Sequence, residues 1–567
     1  MNPAAIDTEF PAASYRGLQE DAIADITAAY ASGARVVIVR APTGTGKSLL
    51  ARAIAGAADP EGGAYYTTPQ VSQLDDVGSN PLLDDIAIIR GKRNYGCILP
   101  GDRGQPVNQA RCARDSNFDC PEKQRCPYFV DRAAAAEAPI AGMTLAYFMQ
   151  TAGSDLFDAR DVIVIDEAHG LLEWAEMYAT IRLGPQTVPH WEEVSVPMLD
   201  SARPDRPLVE AVARITGELE QALADLEGAV SLSPQDVLER DRLRELVARV
   251  GWFQRDVEQM RHSDRWVVDQ AADSGALALK PLNPAPFLRH TVWDRGVRFA
   301  LLSATILDPA AYCRGVGLPS GGVRTVDVPH TFPITQRPLV DVMVGEMTYD
   351  SRTETLPVMG RLLVRLLATH PDSKGLVHCH SYAIQAHLFE HLTRVGAADR
   401  VVRHSTEDRD RVLDRWKRDP SPQVLLSVKM EEALDLHDDL CRWQVLCKAP
   451  YLNTSDSRVQ HRLDAGAWDW YNRMALRRII QACGRVVRSA DDYGVTYLAD
   501  ASIGGLFERT RPLMPPWFRE QVDAMRQPEL PTYPEALAAV GGADKTQQRR
   551  GRSGRGGAAL DGVWGDE

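Results

Sequence analysis

No part of this 567-residue chain runs the roughly 20 consecutive apolar residues that a membrane helix needs, which excludes a helical membrane span. The opening MNPAAIDTEFPAAS carries acids where a secretory signal would carry a basic n-region and an apolar h-region. Lysine is scarce, 9 residues against 55 arginines, and the net charge is −13, so the molecule as a whole cannot attract anionic polymers, and any such partner must meet local patches. Cysteine is absent from the first 96 residues and odd in number, nine in all. Five of them, Cys313, Cys379, Cys441, Cys447 and Cys483, stand singly in apolar contexts, which argues against a disulfide framework and for reduced thiols. No internal repeat is present. These absences predict an intracellular, cytoplasmic protein with no membrane partner. The 44% hydrophobic and 25% charged content is that of an ordinary globular chain, long enough for about three or four domains.

The other four cysteines are crowded. Cys97, Cys112, Cys120 and Cys126 follow one another with 14, 7 and 5 residues between them, in GKRNYGCILPGDRGQPVNQARCARDSNFDCPEKQRCPYF, and they read as one ligand set. From Arg90 to Arg132 nine Lys/Arg stand against five Asp/Glu, a local excess of cations in an acidic protein. That stretch is either a phosphate-facing patch or a solvated loop surface.

Upstream, Tyr15-Arg16-Gly17-Leu18-Gln19 is predicted to open a helix with Ile23 and Ile26 on one face, after a flexible leader over 1–14. The β-branched run RVVIV (35–39) then feeds Ala41-Pro-Thr-Gly44-Thr45-Gly46-Lys47-Ser48 and a helical LLARAIAGAA. Strand, glycine-rich loop, GK[ST] and helix form the context of a P-loop. Gly44, Thr45 and Gly46 offer backbone N–H groups to phosphates, Lys47 reaches the β- and γ-phosphates, and Ser48 offers a hydroxyl to Mg²⁺. Strands are predicted at 64–68 and 85–90. DVIVIDEAH (161–169) is a buried strand delivering carboxylates at its C-terminal end, where Asp166 would meet Mg²⁺ and Glu167 would polarise the attacking water.

From about 185 to 281 the texture is helical. Leu208, Val212, Ile215, Leu219, Ala222 and Leu226 keep a helical stripe, as do Leu243, Leu246, Val250, Phe253, Val257 and Met260, with Ser233-Pro234 between them as N-cap and first-turn proline. VRFALLSAT (297–305) returns to a strand. A second α/β half follows, with strands predicted at 375–380, 423–428, 442–447 and 494–498 and a helix from Trp468 that carries Gln481, Arg485 and Arg488 near its end. The Arg/Gly-rich tail, 541–567, is predicted to be disordered.

Taken together these segments resemble the XPD/DinG family of superfamily 2 DNA helicases, which carry an iron-sulfur cluster. APTGTGKS is similar to motif I, TTPQ (67–70) to motif Ia, DEAH (166–169) to motif II and LLSATI (301–306) to motif III. LVHCHSY (376–382) stands where motif IV does, LLSVKMEEALDL (425–436) resembles motif V, and QACGRVVRS (481–489) resembles motif VI. The order matches too, with cysteines between motifs Ia and II and a helical insert between II and III.

The resemblance implies an α/β fold of two RecA-like P-loop domains with ATP between them. The first would be built from 15–90, 133–184 and 286–330, with an iron-sulfur insert over 91–132 and a helical arch over 185–285; the second would span 331–540. It implies ATP, Mg²⁺ and a 4Fe-4S cluster as cofactors. It assigns Lys47, Asp166, Glu167, Gln481, Arg485 and Arg488 to catalysis, with Arg16 and Gln19 near the adenine. It assigns His169, Ser303, Ala304, Thr305 and Asp435 to coupling between hydrolysis and movement. The implied partner is single-stranded and forked DNA, with RNA–DNA hybrids as a further substrate, and the expected activity is 5′ to 3′ unwinding by a monomer.

Motif V reads Glu432-Ala433-Leu434-Asp435 where the family usually has a glycine second, and His378 and His380 stand in motif IV where aromatics or proline are common. His378-Cys379-His380 suggests a metal, but strand alternation sends Cys379 to the opposite face from the histidines. Zinc is the rival for the four cysteines. Structural zinc sites use C-x₂₋₄-C knuckles, which are lacking here, while Cys120-Pro121 and Cys126-Pro127 echo the Cys-Pro of bacterial ferredoxins. A second functional reading is a redox-responsive, DNA-stimulated ATPase that displaces proteins without processive unwinding. A fused nuclease is not expected, because the helicase segments begin near residue 15.

Overall fold

The structure, a computed structural model, describes residues 1–541 except 116, 200, 320, 429–435, 437, 488 and 490. The chain divides into two compact units. Unit 1 gathers residues 1–333, 450–491 and 506–521, and unit 2 takes the remainder.

Unit 1 holds ten strands: β1 Val36–Arg40, β2 Ala64–Thr68, β3 Ala87–Ile88, β4 Ile140–Thr144, β5 Arg160–Ile165, β6 Ile181–Leu183, β7 Trp266–Gln270, β8 Leu277–Pro281, β9 Gly296–Leu302 and β10 Val323–Asp327. Seven of them form a parallel sheet in the order β10-β1-β9-β5-β2-β4-β3. Its central strands are nearly continuous apolar runs because both faces are covered, as a parallel sheet requires. Val37, Val39, Val164 and Leu302 pack into the core on one face, and Ile38, Ile163, Ile165 and Leu301 into the core on the other. Helix α1 (Gln19–Ala31) buries Ile23 and Ile26 as predicted, but it starts at Gln19, four residues later than the sequence suggested. Gly17 ends the extension: its φ is +53°, and a Cβ there would stand 2.8 Å from Thr331 Cγ2.

Two sequence expectations change. The leader is held against the unit, with Ile6 fully buried, Asn2 N donating to Ala57 O (2.8 Å) and Arg52 paired with Glu9 (2.6 Å). The strand expected at 85–90 shrinks to Ala87–Ile88 at the sheet edge.

Helix α2 (Lys47–Gly56) follows β1, α3 (Pro127–Glu137) follows the last of the four clustered cysteines, and α4 (Leu171–Ala179) follows the DEAH segment. The insert predicted as helical contains α5 (Arg206–Gly228) and α6 (Pro234–Val257). Asp205 caps α5 at Leu208 N, and Ser233 with Asp236 closes a capping box at α6. Leu208, Val212, Ile215 and Leu219 meet Leu243, Leu246, Val250, Phe253 and Val257 in a core separate from the sheet's. That core also includes what the sequence reading missed, an antiparallel sheet β6-β8-β7 whose residues Ile181, Trp266 and Leu279 are fully buried. Unit 1 also contains α7 (Trp468–Cys483), which starts at Trp468 as predicted.

Unit 2 is a six-stranded parallel sheet of β11 Leu339–Gly345, β12 Gly375–His378, β13 Val401–Arg403, β14 Val424–Ser427, β15 Trp443–Leu446 and β16 Val495–Asp500, in the order β11-β16-β15-β12-β14-β13. Four of these strands match the predicted ones; β11 and β13 were not foreseen. Cys379 and Cys447 lie in its core, whereas His378 turns to the other face and bonds Gln444 Oε1 at 3.1 Å. The histidines and the cysteine of motif IV therefore do not converge. Asp435 and Ala433 of motif V, and the tail from residue 542, lie outside the described residues.

Candidate functional site

The C-terminal edge of a parallel sheet is where its loops converge, and strand order decides which loops meet. β9 lies between β1 and β5, so the segment after β9 (303–305) emerges between the P-loop and the DEAH segment. Backbone bonds fix that placement: Ser303 N donates to Val39 O (3.0 Å), Ala41 N to Ser303 O (3.2 Å) and Asp166 N to Thr67 O (2.9 Å).

The P-loop turns through Gly44 and Gly46 at φ +84° and +77°. At Gly46 only glycine fits, since a Cβ would fall 2.3 Å from Gln19 Nε2. Gln19 is buried and its amide is engaged, donating to Thr45 O (2.9 Å) and accepting from Arg16 N (2.8 Å). It thus ties α1 to the loop, and Thr45 Oγ1 closes the loop on Pro42 O (2.8 Å). Lys47 opens α2, and its Nζ lies 3.7 Å from Glu167 Oε1.

Asp166 and Glu167 sit side by side with opposite electrostatics. Burial, and then Glu167 itself, push the Asp166 carboxyl up to about 6. Burial also opposes ionisation of Glu167, but Lys47 and His169 outweigh it and, with Arg485, hold that carboxyl below the ordinary range. Glu167 adopts a left-handed backbone, φ +48°, a conformation that costs free energy for a side chain of its size and is retained where the surroundings impose it.

His169 gathers distant segments. Its Nδ1 lies 2.9 Å from Ser303 Oγ and 3.2 Å from Glu167 Oε2, and its Nε2 meets the Gln481 side-chain amide nitrogen. Ser303 Oγ in turn accepts Thr305 N at 3.0 Å, with Ala304 between them. Arg485 is close enough to act electrostatically on Glu167, and a Cβ on Gly484 would stand 3.1 Å from Thr43 Oγ1 of the P-loop. The structure therefore brings Lys47, Glu167, His169, Ser303, Gln481 and Arg485 together within unit 1. Arg488 lies outside the described residues.

Sequence reading passed over several residues that build this arrangement. Arg477, one helical turn before Gln481, donates to His169 O (3.0 Å) and pairs with Glu173 on α4. Tyr312 donates to Ala168 O at 2.7 Å. Tyr66, on β2, is fully buried, and its phenol is pushed well above its ordinary value by burial and then by Asp166. The available signal was a helical spacing: Arg473, Arg477 and Gln481 share one face of α7, and Arg473 pairs with Asp308 at 3.2 Å.

The cysteine lobe is made of single turns and a short hairpin, closed by the Gly96–Pro106 bridge, in which Cys97 N donates to Gln105 O (2.7 Å). Short helical segments at 92–94, 107–109, 111–114 and 123–125 lead into α3, whose first residue Pro127 follows Cys126 and supplies the preset φ of a helix start. Cys97 and Cys126 are buried, Cys112 and Cys120 half-buried, and all are unbridged. Burial raises the Cys97 and Cys112 thiols. Cys120 and Cys126 add to the rise at Cys97, and Cys120, Cys97 and Cys126 do so at Cys112, so the four thiols share one electrostatic neighbourhood. Among the described residues no three His, Cys, Asp or Glu side chains form a site for a single metal ion. Asp102 organises the chain between them, accepting Arg111 N (2.5 Å) and pairing with Arg114 (2.7 Å). Cations lie over aromatic rings, Lys92 over Tyr128 and both Lys123 and Arg132 over Phe129. The lobe meets the insert through Leu232 N donating to Arg114 O (2.8 Å) and an antiparallel bridge between Asp115 and Ser231. Among the described residues no helix is long and apolar enough to cross a membrane.

Comparison with known proteins agrees with this geometry. A family model described as Helicase C-terminal domain matches residues 363–521, and one described as DEAD_2 matches residues 117–188. The regulator of telomere elongation helicase 1 homolog of Caenorhabditis briggsae is 27% identical over 296 residues, 44% of this chain and 29% of that protein. The general transcription and DNA repair factor IIH helicase subunit XPD/RAD3 of Saccharomyces cerevisiae is 26% identical over 182 residues, 28% of this chain and 23% of that protein. The matched stretches thus span less than a third of either relative. Among solved structures, Xpd4 of S. tokodaii superposes with a TM-score of 0.57 at 16% identity, covering 91% of this chain and 100% of that one, a likeness of fold. With the motif order and the strand order, these matches show that the chain is similar to XPD-type superfamily 2 helicases.

Proposed function

We propose that this chain is an ATP-dependent DNA helicase that moves 5′ to 3′ along single-stranded DNA and unwinds forked duplexes or R-loops as a monomer. The observation that carries the reading is the position of His169, which touches Glu167, Ser303 and Gln481 at once. One side chain then senses the hydrolytic carboxylate, the segment after β9 and the helix bearing Arg485.

In this reading the N–H groups of Gly44, Thr45 and Gly46 and the Lys47 ammonium bind the phosphates of ATP. Arg16 and Gln19 lie beside the base, with Gln19 also holding the loop. Glu167, kept ionised by Lys47 and His169, orients water for attack on the γ-phosphoryl group and takes its proton. Arg485, with Arg488, offsets charge on the transferring group. Release of the γ-phosphate alters the charge that Lys47, Glu167 and Arg485 share. His169 passes that change to Ser303 and Gln481. Asp435 belongs to the same coupling set. The motor is assigned to 15–90, 133–184 and 286–330 as one RecA-like domain and 331–540 as the other, with inserts at 91–132 and 185–285.

Two groups complete the assignment. Ser48 and Asp166 offer the hard oxygen donors that Mg²⁺ takes, and Mg²⁺ when bound neutralises charge on the β- and γ-phosphates. Cys97, Cys112, Cys120 and Cys126 fit a 4Fe-4S cluster: four soft donors of low exposure lie near enough to act on one another. Its contribution would be to cross-link a lobe made of single turns and one short hairpin.

The deciding experiment is a forked duplex carrying either a 5′ or a 3′ single-stranded tail. ATP-dependent separation is expected with the 5′ tail and is lost in Lys47→Ala. Hydrolysis without separation would instead favour the redox-responsive, protein-displacing ATPase. Separation of the 3′-tailed substrate alone would reverse the polarity assigned here.

A further inference from the structure

We propose that Tyr66 is a positioning residue of the nucleotide site, its hydroxyl donating toward the Asp166 carboxylate through a water, so that the carboxylate is held in place for the divalent cation. The inference rests on the ATP-binding reading above and concerns a residue outside the P-loop and the DEAH segment.

β2 is paired in register with β5, Tyr66 opposite Val164 and Thr67 opposite Ile165, so β2 runs beside the strand that delivers Asp166. The Tyr66 ring belongs to the core that α2 covers, among Leu50, Ala51 and Val164. Val164, on β5, is two residues before Asp166, so Tyr66 lies on the face of the sheet to which Asp166 belongs, near enough for Asp166 and Ser48 to act on its hydroxyl. The Ser48 hydroxyl lies close enough to act on the phenol, yet among the described residues no group stands at hydrogen-bonding geometry to the Tyr66 oxygen.

A fully buried hydroxyl that bonds to no protein group weakens a fold relative to the same ring without it. Packing alone would be served by phenylalanine. The neighbouring Tyr65, on the opposite face of β2, illustrates the ordinary case: its hydroxyl donates to Asp158 O at 2.6 Å. A phenol can give a proton to a carboxylate, whereas an ionised carboxylate can only accept, so the direction of the bond is set by the groups themselves. Glu167 N already holds Asp166 Oδ1 at 2.9 Å. One such bond leaves the carboxylate free to swing about it, and a second donor removes that freedom. Groups that orient a metal-binding carboxylate in this way affect cation affinity more than they affect folding.

The test uses the full chain and a fluorescent ADP analogue titrated with Mg²⁺, alongside melting curves in EDTA. In Tyr66→Phe the Mg²⁺ midpoint should rise about tenfold. Nucleotide affinity in EDTA should stay unchanged, and the melting temperature in EDTA should equal or exceed that of the wild type. Tyr65→Phe should leave the midpoint where it is. A Tyr66→Phe midpoint within about twofold of wild type, or a melting temperature that drops in EDTA, overturns the proposal by making Tyr66 inert or merely structural. If wild type binds no nucleotide with Mg²⁺, or Lys47→Ala binds it equally well, the nucleotide-site reading itself fails and takes this proposal with it. A normal wild-type response with an unmoved Tyr66→Phe midpoint removes only the role given to Tyr66.

Discussion

His169 Nδ1 and Ser303 Oγ stand 2.9 Å apart, although 134 residues of chain separate them. The contact exists because β9 is sandwiched between β1 and β5, which sets the segment after β9 beside the DEAH segment. Ser303 Oγ also receives Thr305 N, so one hydroxyl joins the imidazole to the turn that follows β9.

Ser303→Ala should therefore separate hydrolysis from movement. Lys47, Glu167 and Arg485 remain in place, so DNA-stimulated ATP hydrolysis should persist within a few-fold of wild type. Unwinding of a 5′-tailed fork should fall by about tenfold or more, the effect of losing roughly 1.4 kcal/mol of coupling. The measured quantity is ATP consumed per base pair opened. An unchanged ratio would remove Ser303 from the coupling path.

Arg477 offers a stability test. Its guanidinium is buried, pairs with Glu173 and donates to His169 O. Arg477→Met keeps the bulk but leaves the carboxylate and the carbonyl without their donor. Breaking a fully buried pair costs about 3–5 kcal/mol. The Glu173 side chain keeps 35% of its surface exposed, so a loss of about 2 kcal/mol is expected, read as a lower urea midpoint. ATPase activity should fall with it, because Arg477 supports the loop that carries His169.

The P-loop, the DEAH strand and α7 were legible in the sequence because each combines a local pattern with a chemical requirement. VVIV followed by GTGKS leaves little conformational choice. The antiparallel sheet of β6, β7 and β8 was not legible: its strands are three to five residues long and far apart in sequence, so their pairing depends on a non-local contact. Tyr66 was missed for a related reason. It reads as an ordinary strand aromatic until β2 is placed beside β5. Arg477 lies one turn from Gln481, and its role depends on where α4 sits, which no local pattern records.

His370 in unit 2 predicts a pH dependence unrelated to catalysis. Its ring stacks on Trp443, its Nε2 lies 2.9 Å from the Tyr497 hydroxyl, and burial, then Arg400, lowers its pKa to about 4. The folded state thus favours the neutral ring. Stability from this site is complete above the unfolded value of about 6.5 and is lost progressively as pH falls toward 4. Allowing for partial exposure, the loss is about 1–2 kcal/mol. His370→Phe should flatten that limb of a melting-temperature profile between pH 6.5 and 4. An equally steep decline in the variant would show that another group sets it.

The cysteine lobe gives the sharpest distinction between a structural and a dispensable metal group. Between Gly91 and α3 the described residues form single helical turns and an antiparallel bridge from Gly96 to Pro106, and Tyr95, Val107, Cys126 and Tyr128 are buried as an extension of the main sheet's core. In the proposed reading, cross-links through the four cysteines would fix the positions of Lys92, Lys123 and Arg132. The lobe also passes strain onward, since Arg114 O and Asp115 contact Leu232 and Ser231 just before α6. Anaerobically purified wild type should contain about four irons with matching acid-labile sulfide and absorb broadly near roughly 400 nm. Cys112→Ser should lose most of that iron, abolish fork unwinding and keep part of the ATPase activity, because the nucleotide-site residues lie elsewhere in the sheet. Hydrogen exchange should rise over 91–126 and in the first turn of α6 while β1, β5 and β9 stay protected. A colourless, zinc-loaded wild type would refute the cluster assignment, and a Cys112→Ser protein that unwinds forks normally would refute the cross-linking role even if iron is present.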